Sequence, residues 1–364
     1  MKIGMIFPNR EFEKAIASYS YDLVESIKKT ARPIEEITYS AGKPFSLFKK
    51  INRILKLDVV HVQHEYNLLG GYGIPFFFLY FLLFLSKKKV VTTMHTVLSQ
   101  NEKFKGSKLK TILRKILYLT QNKIIKIVSI KTIVHANFFK EILVKEYKFD
   151  PEDIEIFPQA IIENAKIIPK ETAKKKFGLK GPVYLFMGGM VPDHGHDIII
   201  KQAKKIGPTI LVVASPNAVN DRNKKRTQTF LDENINYVKK NNLGKFVRFD
   251  IFDINDKKPE WWEYFSTADL VLLPYRGGIG SGVFAHAMAA EKPVVASDIS
   301  FFREISKKFG CVKIVNKEGD YPKKIKESIK EKNLKKMVEE SKRYKHIFGL
   351  GSLAKKYKTL YEKL

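Results

Sequence analysis

From Leu270 to Ala296 the chain reads LVLLPYRGGIGSGVFAHAMAAEKPVVA. An apolar run ends at Pro274, a loop follows with glycines at 277, 278, 280 and 282, and small residues continue from Val283 to Ala290. A second apolar run opens at Pro293. The pattern predicts a buried strand, a glycine loop, a helix and a second buried strand. In an open α/β sheet such a loop lies at the carboxyl end of its strand, where ligands bind. The N–H groups of Ser281, Gly282 and Val283, with the helix dipole behind them, can hold an anion such as a diphosphate. Glycines also serve plain tight turns, and from spacing alone both readings stand. Two other strand-like runs end in groups with chemistry: LDVVHV leads into Gln63-His64-Glu65-Tyr66, and VVTTM into His95-Thr96.

The elements that must position these groups alternate. Strands are predicted at Lys2–Phe7, Ile37–Tyr39, Leu57–Val62, Val90–Met94, Thr132–His135 and Ile154–Phe157, with helices between them. After a polar stretch, Lys166 to Leu179, a second series follows at Val183–Met187, Thr209–Ala214, Phe246–Phe252, Leu270–Leu273, Val294–Ala296 and Val312–Val315. Such alternation argues parallel sheets with right-handed crossovers. The expected fold class is α/β, two doubly wound domains facing a shared cleft. Ile74–Leu85 (IPFFFLYFLLFL) is a continuous apolar helix, too short for the roughly 20 residues a bilayer requires. It is expected to be buried against the sheet, with an interfacial membrane element as the alternative. Glu102 to Lys126 reads as a basic amphipathic helix, a solvated face that also suits anionic lipid.

At 364 residues the chain exceeds one typical core, and 44% hydrophobic content suits a folded protein. The single cysteine, Cys311, excludes an internal disulfide framework and fits a reducing compartment. The N-terminus runs directly into a strand-like stretch, so no signal peptide is expected. Sixty-six Lys and Arg against 38 Asp and Glu give a net charge of +28. Nucleic acid, an anionic membrane surface and anionic substrates all compete for that charge. No zinc-ligand spacing, RNP-like motif or helix-turn-helix signature accompanies the lysines, which argues against nucleic acid.

Four segments in order carry a family likeness: DVVHVQHEYNLLGGYG, VVTTMHTVLS, VYLFMGGMVPDHGHDIII and LVLLPYRGGIGSGVFAHAMAAEKPVVASD. Together they resemble a GT-B glycosyltransferase of the large retaining family 4 over nearly the whole length. The resemblance implies two Rossmann-like domains: residues 1–165, with a final helix at 345–364 returning to them, and a donor domain at 166–344. It implies transfer of a hexose, mannose among the candidates, from a UDP- or GDP-sugar to a glycan or lipid-linked acceptor in polysaccharide biosynthesis. No metal or other cofactor is required in that scheme, because backbone dipoles hold the diphosphate.

By the same resemblance, His95 contacts the transferred sugar and steadies an oxocarbenium-like transition state. His64, Glu65 and Tyr66 line the acceptor side, Glu65 being the carboxylate for an acceptor hydroxyl. Gly189, Gly280, Ser281, Gly282 and Val283 receive the donor, and the base lies near Ser215–Asn217 and Phe252–Ile254. The departures are equally specific. Two glutamates of the family signature are replaced by Gly278 and His286, and the Arg and Lys of the loop after the first donor strand are absent, with His194 where the lysine would stand. His194 or Arg276 would then supply positive charge, unless Arg276 pairs with Asp298 or Glu304. His286 would offer the ribose one hydrogen bond where a glutamate offers two. These losses leave a second reading, an idle GT-B scaffold that binds a sugar or a partner transferase. A nucleotide-sugar epimerase fits the His-Glu-Tyr and His-Thr segments poorly. The resemblance places the protein in the cytoplasm, peripheral on the inner face of the membrane through the basic helix.

Overall fold

The computed structural model describes residues 1–11, 15–30, 33–102, 104, 107–214, 221–251, 258–278 and 280–364. The chain divides into two units, one formed by Met1–Ala160 with Phe348–Leu364 and the other by Ile161–Ile347. The sequence placed these boundaries at 165 and 345; the division falls five residues earlier and three later.

The N-terminal unit holds six strands: β1 (Ile3–Pro8), β2 (Ile34–Tyr39), β3 (Val59–His64), β4 (Lys89–Met94), β5 (Ser129–Val134) and β6 (Ile154–Ile156). They pair in parallel in the order β2-β1-β3-β4-β5-β6. Runs such as IGMIFP and VVHVQH are buried along their whole length, as strands covered on both faces must be. One face packs Leu47, Phe76, Tyr80 and Ile125 against the sheet. The other packs the Ala15–Thr30 helix and the C-terminal Leu350–Glu362 helix, whose Leu353, Tyr357, Leu360 and Tyr361 are buried there. At about 1.5–3 kcal/mol for each large apolar side chain, that last helix is an integral part of the unit.

The second unit holds β7 (Tyr184–Gly188), β8 (Ile210–Ala214), β9 (Val247–Ile251), β10 (Leu270–Leu273), β11 (Val294–Ser297) and β12 (Val312–Val315), all parallel, in the order β12-β11-β10-β7-β8-β9. Counted from β7 this is 6-5-4-1-2-3, the Rossmann order read from its other edge. The order reverses between β7 and β10, so loops leaving those strands diverge to opposite faces and open a crevice. In the N-terminal unit the reversal lies between β1 and β3. At the opposite end of the second sheet, Asp269 accepts from Lys170, Lys174 and the Val183 N–H at 2.7, 2.9 and 2.9 Å, fastening the Lys170–Lys176 helix to the strand starts.

Two helices differ from expectation. The basic helix begins at Lys108 and runs to Val128, six residues later than its composition suggested. Ile74–Leu85 is buried on one side only, through Phe76, Leu79, Tyr80 and Leu83, while Phe78, Phe81 and Leu85 face outward about 60% exposed. Cys311 is packed in the interior, and burial pushes its thiol up to about 12.

One buried tie is well suited to measurement. His61 on β3 meets the Tyr361 hydroxyl through Nδ1 at 2.6 Å and Thr93 Oγ1 through Nε2 at 2.7 Å. Burial holds its imidazole down at about 3, so the ring is neutral and each hydroxyl completes one nitrogen. Tyr361→Phe strands one of those nitrogens and is expected to cost about 1–3 kcal/mol. Urea unfolding at pH 7 reads this as a lower midpoint with unchanged slope; an unchanged midpoint would show that the tie contributes nothing.

Candidate active site

At the crevice of the second unit, the Gly282–Ala289 helix starts where β10 ends. Ser281 is its N-cap: its Oγ accepts from the Phe284 N–H at 3.0 Å and lies 3.0 Å from the Tyr275 hydroxyl. This is the usual serine capping geometry. It directs the amides of Gly282 and Val283, which have no partner within the helix, out of its open end. Gly188, the last residue of β7, sits against that end at φ +125°, and a Cβ there would lie 3.2 Å from Val283 Cγ2. Glycine at 188 therefore lets the β7 loop close on the helix start. Gly280 is exposed, and Gly278 adopts φ +139°.

The loop after β7 is drawn onto the end of β10. The Gly189 carbonyl accepts from His194 Nδ1–H at 2.7 Å and from the Val191 N–H at 3.0 Å. The His194 ring stacks on Tyr275, centroids 4.7 Å apart and planes at 19°. Gly195 takes φ +70°, with the Pro274 carbonyl where a Cβ would stand. Burial pulls His194 below the usual imidazole range, against the Gly189 carbonyl that favours the charged form. At neutral pH the ring is neutral, which corrects the expectation of a cationic clamp.

Arg276 is also committed elsewhere. Its guanidinium makes a two-pronged bridge to Asp197 at 2.8 and 2.9 Å and donates to the Pro192 carbonyl at 2.7 Å. The Arg276 N–H donates to the Asp193 carbonyl. Asp298, one of the partners foreseen from the sequence, is engaged by Arg303 instead at 2.7 Å. His286 lies edge-on to Trp261 and Trp262 at 5.0 and 5.4 Å. The segments expected near a base, 215–217 and 252–254, lie outside the described residues.

In the N-terminal unit the strand-end groups have specific partners. His95 Nε2 is 2.8 Å from Gln63 Oε1, and its Nδ1 is 3.2 Å from His135 Nε2. His135 Nδ1–H donates to the Phe157 carbonyl at 2.8 Å. Burial first, and His135 second, holds His95 well below the ordinary imidazole value. His64 and Tyr66 are interior, which corrects their placement on an acceptor surface. The His64 ring packs against Tyr66 and Phe76, and burial holds it down at about 3. Tyr66 donates its hydroxyl to Asn122 Oδ1 at 2.7 Å, accepts from the Leu98 N–H at 2.9 Å and stacks on Tyr118. Of the His-Glu-Tyr triplet only Glu65 keeps exposed surface.

Residues 168–345 match the family described as glycosyl transferases group 1. The second unit therefore carries a group 1 glycosyltransferase domain. Among solved structures, HepE from Anabaena in complex with UDP matches with a TM-score of 0.74 at 13% identity, all of both chains being covered. A glycosyltransferase from Rickettsia africae matches at 0.70 and 16%, covering 100% of this chain and 98% of that one. WaaG, a glycosyltransferase involved in lipopolysaccharide biosynthesis, matches at 0.66 and 15%, covering 98% and 99%. At these identities the likeness establishes the GT-B fold. No curated protein matches the sequence. Among the described residues no helix is long and apolar enough to cross a membrane.

The second unit thus has a capped helix end close to the glycine at 188, with Arg276 tied into the scaffold and His194 held towards neutrality. Sequence reasoning missed Asp197, Tyr275, Gln63 and His135. For His135 a signal was present: His95 and His135 end successive runs, and strands paired in parallel bring such ends together. Gly195→Ala would force the β7 loop off Pro274 and place an L-residue at φ +70°, with an expected cost above about 1–2 kcal/mol. Differential scanning calorimetry should show a lower melting temperature; an unshifted melt would mean that the loop contact is dispensable.

Proposed function

We propose that this glycosyltransferase moves a hexose from a nucleotide-diphosphate sugar to a glycan or lipid-linked acceptor with retention at the anomeric carbon. The observation that carries the donor half is the Ser281-capped helix end at the strand-order reversal, closed on one side by Gly188. In this reading the amides of Gly280, Ser281, Gly282 and Val283 hold the diphosphate and stabilise it as it leaves. The structures of HepE holding UDP and UDP-glucose support a UDP-hexose as the first donor to test. Backbone dipoles perform the neutralisation, so the scheme uses no metal.

His95 steadies the transferred sugar, and Glu65 bonds an acceptor hydroxyl. With both His95 ring nitrogens engaged, that imidazole is not a free base. This supports a course in which the leaving phosphate takes the acceptor proton. Incubation with UDP- and GDP-hexoses, in buffer with and without EDTA, should release nucleoside diphosphate at the same rate in both. NMR of the product should show the donor's anomeric configuration. Inversion, or activity that disappears with EDTA, would overturn the scheme; no turnover with any donor would restore the idle-scaffold reading.

The acceptor side is proposed to meet an anionic bilayer. Leu109, Ile112, Leu113 and Ile116 form an exposed stripe at helical spacing on the Lys108–Val128 helix, beside Lys108, Lys110, Arg114 and Lys115. The outward phenylalanines of Ile74–Leu85 lie on a helix packed against it. Apolar side chains reach the headgroup boundary while each basic residue near an anionic surface adds about 1 kcal/mol. Sedimentation with phosphatidylglycerol vesicles should show binding that salt weakens and that Phe78→Ser with Phe81→Ser reduces. Absence of salt-sensitive binding would remove the membrane from the scheme.

A further inference from the structure

The Gln63–His95–His135–Phe157 series contains more information than four contacts. It has three links: Gln63 to His95 at 2.8 Å, His95 to His135 at 3.2 Å, and His135 to the Phe157 carbonyl at 2.8 Å. Each link needs one hydrogen, and two neutral imidazoles supply two. The Phe157 carbonyl can only accept, so His135 carries its hydrogen on Nδ1. Its Nε2 is then a bare acceptor, and the link to His95 requires a hydrogen on His95 Nδ1. His95 Nε2 is left as a lone pair facing the Gln63 amide. In the neutral state Gln63 must turn its NH2 group to that lone pair. The structure sets the Gln63 carbonyl there, with its NH2 group 3.3 Å from Met5 Sδ, and in that setting the series closes only when a third hydrogen makes the pair an imidazole–imidazolium.

Tyr19 stands edge-on to both rings, 5.3 Å from His95 and 5.5 Å from His135, and confines their orientation. The titratable groups facing the pair among the described residues are His61 and His64 on β3 and Tyr19 on the Ala15–Thr30 helix. Tyr19's hydroxyl lies 3.5 Å from that of Tyr357 on the C-terminal helix. None of these is a carboxylate, so nothing among them favours an imidazolium.

We propose that His135 is the positioning residue of His95: tied to the Phe157 carbonyl, it fixes the His95 hydrogen on Nδ1 and keeps the pair uncharged beside the reacting sugar. The proposal rests on the placement of His95 at the transferred sugar. Positive charge develops on the anomeric carbon during transfer, and an adjacent imidazolium would oppose it. A third hydrogen on the pair therefore suppresses turnover, and turnover falls on the acid side as the pair takes it up. Burial, which holds both rings below the ordinary imidazole range, moves that fall towards lower pH.

Three variants of the full chain and one spectrum test this. His135→Phe keeps a ring but removes the acceptor; His135→Gln keeps an acceptor oxygen near the same place but cannot titrate. His135→Phe should lower kcat about tenfold or more with donor KM little changed. His135→Gln should recover most of that loss and retain an acid limb in the kcat profile, because the third hydrogen enters at His95 Nε2. Nitrogen-15 NMR of labelled histidine should show the His95 hydrogen on Nδ1 in the parent and in His135→Gln, and a shift towards Nε2 in His135→Phe. If His95→Ala abolishes turnover while His135→Phe retains both kcat and the His95 tautomer, the positioning role is wrong. If His95→Ala leaves turnover unchanged, the placement of His95 at the sugar fails, and with it the effect on rate, while the spectrum still decides the tautomer. Thermal melts of each variant separate loss of fold from loss of rate, and His135→Gln remains decisive where His135→Phe does not fold.

Discussion

The approach of Gly195 to the Pro274 carbonyl is the constraint on which the donor half depends. It joins the loop leaving β7 to the end of β10, the two strands between which the order of the sheet reverses. Only a residue without a side chain, at φ +70°, permits that approach. Once the backbones meet, His194 falls onto Tyr275, Tyr275 reaches Ser281, and Ser281 caps the helix. Arg276 and Asp197 close the same junction from outside. The open amides at Gly282 and Val283 are thus held by a chain of contacts that begins at the neighbouring strand.

That arrangement explains how the missing signature charges can be tolerated. A carboxylate at 278 would stand on an exposed loop at φ +139°, a conformation that side chains rarely adopt. A carboxylate at 286 would meet the edges of Trp261 and Trp262. Glycine at 278 suits its backbone, and the histidine ring at 286 packs on the tryptophan pair. The consequence is a site whose polarity comes from the backbone more than from side chains. Amides do not titrate and need no counter-ion, whereas sugar selection by hydroxyl contacts has fewer side chains to draw on.

Much of this was legible in the sequence, and the limits were physical. Buried parallel strands such as LDVVHV and LVLLP announce themselves because both faces must be apolar, and all twelve lie close to where the runs predicted. The GSG segment before small residues marked the helix start for the same reason that it works: glycine and serine suit an open N-terminus. Side-chain partners were not legible. Arg276 and Asp197 lie 79 residues apart, and nothing local favours that pair over Asp298. His64 and Tyr66 read as surface chemistry because they follow a strand, yet tertiary packing turned both inward. For Ile74–Leu85 composition was uniform, so the side left outside could not be told from the letters.

The distribution of charge then follows from the same physics. A net charge of +28 sits on a molecule in which burial pushes His95, His135 and His194 towards neutrality. Lysines with long stems keep their ammonium groups in water, on helices such as Lys108–Val128, and so act at a distance. Their summed field draws anions and anionic surfaces towards the protein and weakens with salt. At the crevice the task passes to groups that cost little to bury: amides at a helix end and uncharged imidazoles tied to carbonyls. In the proposed scheme an oxocarbenium-like transition state favours that separation, since a cation held next to the anomeric carbon would raise the barrier that the diphosphate's departure lowers.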